Sequence, residues 1–167
     1  MCLRRMPRGR LTHESAMSAG ERVSVADAEA RVRASFDRQQ FMATLGARLA
    51  RVAPDEVDIE VPVQPAVAQQ HGFVHAGAMA AIADSACGYA ALTGMPPGAA
   101  VLSIEFKINM LAPAAGERVV ARGRVVRRGR TIIVCGADVF AISAGAEKLV
   151  AVMTATMMVV EGRGLAD

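Results

Sequence analysis

The segment QQHGFVHAGAMAAIADSACGYAAL, residues 69–92, sets a histidine at the start of a long small-residue run and an aspartate in its middle. The run reads as a buried helix, and a carboxylate there costs free energy unless it is paired, hydrogen-bonded or used. Asp84 is therefore the first candidate for chemistry, as the group that activates a water. The helix start near Ala76 supplies a complementary half. Its first-turn N–H groups lack partners within the helix and lie at the positive end of the dipole, where a carbonyl oxygen gaining negative charge would be stabilised. Asp84 lies nine residues beyond His75, or about 12–14 Å along the axis at 1.5 Å per residue. Within one chain that gap is several times too long for the water to reach the carbonyl. The halves meet only if two such helices run antiparallel across a twofold axis, so the spacing implies a dimer.

The elements around this helix follow from pattern. Ser24 with Asp27 resembles a capping signal, and residues 25–45 run on as a mostly polar helix. Residues 45–52 and 56–63 read as a hairpin about an Ala-Pro-Asp-Glu turn, the second strand with Val57, Ile59, Val61 and Val63 on one face. A loop from Gln64 to Val74 leads into the long helix, which stops near Thr93-Gly94 before Pro96-Pro97-Gly98. Four strand candidates follow. The first, residues 100–111, puts Leu102, Ile104, Phe106, Ile108 and Met110 on one face and Ser103, Glu105, Lys107 and Asn109 on the other. The order predicts an α+β fold, one antiparallel sheet of five to six strands wrapped around one central helix.

Bulk properties narrow the function. At 167 residues, 53% hydrophobic and 21% charged, the chain fits a single globular domain. The net charge of +3 belongs to residues 1–33, with seven arginines against four carboxylates; the remainder balances at twelve against twelve. The basic excess therefore sits in a flexible leader over 1–33, ahead of a domain over 34–162. Aromatics make up 4% with no Trp, which suits base stacking poorly, so no nucleic-acid partner is expected. Cys2, Cys87 and Cys135 share no metal or redox spacing, and an odd count in a chain without a secretory signal points to a reducing cytoplasm. The one long apolar stretch carries Asp84 and Ser85, which argues against a membrane span. His71 has no partner at ligand spacing, so no metal is expected.

The pattern Gln69, five residues, His75-Ala76-Gly77, six residues, Asp84, followed by SIEFKINMLAPAAGE, resembles the hotdog-fold acyl-CoA thioesterases of the phenylacetate-degradation type, akin to 4-hydroxybenzoyl-CoA thioesterases. The similarity spans about residues 34–161. It implies hydrolysis of an acyl-CoA to a carboxylic acid and free coenzyme A by a homodimer, or a dimer of dimers, without metal or redox cofactor. Asp84 matches the carboxylate that acts as general base or nucleophile. Ala76 takes the place of a glycine whose N–H polarises the thioester carbonyl. Gln69 matches the Asn or Gln that orients water or thioester, His75 is the motif histidine, and Ser103 falls where some members hold the nucleophilic water. Gly77 and Gly88 fall among the substrate-binding positions, Gly88 where some members carry Thr. Arg128 and Arg130, at a hairpin tip, are candidates for the coenzyme A phosphates. Structural roles remain open for each of these residues, and two rival functions remain: an acyl-CoA-binding regulator and a hotdog hydratase or dehydratase.

Overall fold

A computed structural model describes residues 24–165. Residues 1–23, which make up most of the expected leader, lie outside the described residues. Helix α1 (Val25–Asp37) and the short α2 (Gln40–Leu45) come first, then the hairpin β1 (Arg48–Ala53) and β2 (Glu56–Pro62). A 3-10 turn at Pro65–Val67 precedes the long helix α3 (Ala76–Leu92). Four strands complete the chain: β3 (Ala100–Met110), β4 (Arg118–Arg128), β5 (Ile132–Ser143) and β6 (Ala146–Val160). The six form one antiparallel sheet in the order β1-β2-β4-β5-β6-β3. This is the expected α+β architecture, with the sheet curled about α3.

Small residues explain how a helix fits inside the sheet. Ala83, Ala86, Cys87 and Ala90 of α3 are fully buried, so the helix is apolar around most of its circumference, as a core helix must be. At the closest approach, a Cβ on Gly123 of β4 would lie 2.4 Å from the Ala86 carbonyl carbon. Only glycine fits there.

The helix expected over 25–45 is broken in two. Gln39 adopts an extended backbone between α1 and α2, and its side chain makes no cap for α2. Instead its Nε2 donates to the Tyr89 hydroxyl at 2.8 Å. The break lets Met42 and Leu45 turn into the core separately from Val32 and Phe36.

The expected boundary at residue 34 falls inside α1, whose buried residues begin at Ala28. Val32 is 0% exposed within the core, and Arg31 donates to the carbonyls of Leu92 at the end of α3 and of Met95 and Pro96 just past it. The C-terminal end of α3 is clamped further. Arg128 donates to Ala91 O, and Thr93 Oγ1 accepts from the Asp55 amide at the β1–β2 turn. A chain truncated to begin at Ala34 should therefore lose about 3–5 kcal/mol of stability, read as an earlier midpoint in urea unfolding than the full chain.

The one-residue alternation expected for β3 fails at one point. The β3–β6 register shifts between Ser103 and Glu105, leaving Ile104 as a bulge. Ser103 pairs with Met157, and Phe106, Ile108 and Met110 pair with Ala155, Met153 and Ala151, all buried on the inner side of β6. The bulge therefore puts Ser103 on the same face as Phe106, Ile108 and Met110, while Leu102 pairs with Met158 on the other. β3 is an edge strand of the sheet, and Leu102, Ile104, Phe106 and Met110 are each more than 40% exposed.

Candidate active site

The start of α3 is built by the loop before it. Gln69 N donates to Phe73 O, Gly72 N to Gln69 O, and His75 N to Val67 O, which folds residues 67–75 into a compact turn. Val74 N donates to Ala114 O in the Pro113-Ala114-Ala115-Gly116 segment, which docks the loop on the chain after β3. His75 is the N-cap: its Nδ1 accepts from the Gly77 amide at 2.9 Å. An accepting Nδ1 carries no proton, so in this arrangement the ring anchors the helix start. The Ala78 and Met79 amides both reach His75 O. Among the described residues this leaves the Ala76 N–H as the one first-turn donor without a partner. A cavity of about 520 Å³, lined by Gln69, His71, His75, Ala76, Met79 and Met110 among others, opens beside it. The Gln69 side chain is partly engaged, since its Oε1 accepts from the His71 amide at 2.6 Å.

Asp84 lies eight residues beyond Ala76, about 12 Å along the helix axis, half-buried in a second cavity of about 120 Å³. Its Oδ1 accepts from Ser103 Oγ at 2.6 Å, the bond that the Ile104 bulge makes possible. Gly88 lines the same cavity one turn later. A Cβ there would meet only Val101 Cγ1 at an ordinary 3.8 Å. Gly88→Ala should therefore raise stability by about 0.5–1 kcal/mol through helix propensity, measured as a higher urea midpoint, while narrowing the cavity.

The structure thus brings Asp84, Ser103 and Gly88 together at one site and Gln69, His75, Ala76 and Gly77 at another. Arg128 and Arg130 join neither cavity. The Arg128 guanidinium is held by Ala91 O and the Asp55 carboxylate beneath Gly94, which gives it a structural task at the end of α3. Cys87, three residues after Asp84, is fully buried, and burial pushes its thiol far up; Cys135 is likewise raised to about 11. Neither thiol is placed to act as a nucleophile.

Of the residues lining the Asp84 cavity that the sequence reading did not single out, Gln39 and Tyr89 carry the polar groups best placed beside Asp84. Tyr89 is the single tyrosine of the chain, set in an Ala-rich helix five residues after Asp84, and that isolation was a usable signal. Gln39 gave none, because its position depends on the break between α1 and α2.

One antiparallel sheet wrapped about a single long helix is the hotdog fold, here with a carboxylate midway along the helix and a free amide at its start. Residues 71–146 match the thioesterase superfamily model. A thioesterase family protein from Silicibacter pomeroyi is 49% identical, aligned over 81% of this chain and 99% of that one with a TM-score of 0.79. The chain belongs to the thioesterase superfamily. A thioesterase from Haemophilus influenzae (22% identity, 78% and 91% covered, TM-score 0.70) shares the fold. So does the E. coli PaaI protein from the phenylacetic acid degradation operon (20% identity, 83% and 96% covered, TM-score 0.73). A search of curated proteins finds no match. Among the described residues no helix is long and apolar enough to cross a membrane.

Proposed function

We propose that the protein hydrolyses an acyl-CoA thioester at sites shared between two copies of the chain. The observation that carries this reading is the separation on α3 of an unused first-turn amide from a serine-bound carboxylate, about 12 Å apart, each in its own cavity. Two α3 helices packed antiparallel would set Asp84 of one chain against Ala76 of the other. The apolar, unpaired edge of β3 supports such a pairing, because an exposed edge of this kind is blunted by a second strand.

In the composite site the thioester carbonyl oxygen takes the Ala76 N–H, at the positive end of the helix, as charge develops on it. Asp84 attacks the carbonyl carbon directly or removes a proton from the attacking water. Ser103 fixes the carboxylate, and its hydroxyl is placed to hold that water. When water attacks, collapse of the tetrahedral intermediate expels the coenzyme A thiolate and leaves the acid; when Asp84 attacks, the same collapse leaves a mixed anhydride on Asp84, which water then hydrolyses to the acid and the free carboxylate. His75 and Gln69 shape the loop that presents the amide. The reading calls on no metal or redox cofactor. Within the superfamily it places the chain with the phenylacetate-degradation type, on the spacing from Gln69 to Asp84, acting in the cytoplasm with Cys87 and Cys135 free. Thiol release from a panel of acyl-CoA esters, followed with a chromogenic disulfide, is the direct test. A well-folded protein that releases none is not a thioesterase of this kind.

A further inference from the structure

The recess beside Asp84 has a polar wall that hydrolysis itself does not require. Gln39 and Tyr89 line it together with Asp84 and Ser103. Tyr89 is buried, its ring packed on Phe36 with centroids 5.9 Å apart and its hydroxyl 3.4 Å from Ser35 Oγ. That hydroxyl accepts one N–H of Gln39, which holds the amide against the recess. The Gln39 Oε1 has no hydrogen-bond partner among the described residues. A bare hydrocarbon laid there would remove water from the amide and offer no bond in return, whereas a hydroxyl would donate to Oε1.

We propose that Gln39, held in place by Tyr89, is a specificity-determining residue that selects acyl groups bearing a hydroxyl. The inference rests on the thioesterase reading, since it needs the acyl group to lie against Asp84. The test compares kcat/KM within pairs that differ by one hydroxyl: butyryl-CoA with 3-hydroxybutyryl-CoA, and hexanoyl-CoA with 5-hydroxyhexanoyl-CoA. The wild type should favour the hydroxylated member of at least one pair by about tenfold. Gln39→Leu should bring that ratio to within about twofold of unity, and Gln39→Ala should do the same without added bulk. A ratio measured on one preparation does not depend on the folded fraction, so partial misfolding cannot imitate the result. Absence of a preference in the wild type, or a preference that survives both substitutions, overturns the role of Gln39 and leaves the hydrolytic reading standing. Absence of thiol release from all four esters overturns the hydrolytic reading, and this one with it.

Discussion

Asp84→Asn should fold as the wild type does and hydrolyse its best thioester more slowly by a factor on the order of 10²–10⁴. The amide keeps the shape of the carboxylate, and its oxygen still accepts the Ser103 hydroxyl that Oδ1 holds at 2.6 Å. What it loses is basicity and nucleophilicity. Steady-state thiol release, with circular dichroism to verify the fold, measures the difference. Near-normal turnover in the variant would make the Asp84–Ser103 bond a structural tie between α3 and β3 and would sink the mechanism.

A mixing experiment tests the shared site. Asp84→Ala and Ala76→Pro should each be inactive alone, the second because proline has no N–H. Proline suits this position. It is the first residue of α3, its amide has no partner among the described residues, and His75 before it already has the extended backbone that proline demands (φ −64°, ψ 139°). Co-refolding equal amounts should give about half heterodimers, each with one doubly damaged site and one intact site. Activity should return to about a quarter of wild type per total protein, if assembly is random and the sites independent. If both groups of a site came from one chain, no heterodimer site would be whole and nothing would return. The comparison holds when both variants keep wild-type circular dichroism and dimer size. Absence of recovery in such heterodimers would refute the antiparallel pairing of α3.

Much of this architecture could be read from the residues because the relevant signals are local. The Ala and Gly run of α3 specifies a helix that a sheet can approach closely, and Val57, Ile59 and Val61 alternate inward in β2 as their spacing predicts. His75 at the helix start and Asp84 as the carboxylate within the small-residue run are legible from composition and position alone. What was hidden depends on partners distant in sequence. The Ile104 bulge depends on how β3 registers with β6, some fifty residues on, and strict alternation therefore put Ser103 on the wrong face. The break at Gln39 depends on Tyr89, fifty residues later. Arg128 looked like a free cation at a hairpin tip because the carbonyl and carboxylate that hold it belong to α3 and the β1–β2 turn.

The clamp on the far end of α3 has a geometric consequence for a twofold site. If each helix slid along its own axis by some small distance, symmetry would carry the two helices in opposite senses. Asp84 and Ala76 of the partner subunit would then part by twice that distance. A slip of about half an ångström would become a misalignment of about one, enough to cost a reaction on the order of a hundredfold. Arg31, Arg128 and Thr93, none of which lines either cavity, therefore act as axial stops that hold α3 at a fixed height within its sheet. In the proposed dimer the tolerance of the chemistry would be set at the end of the helix where no chemistry takes place.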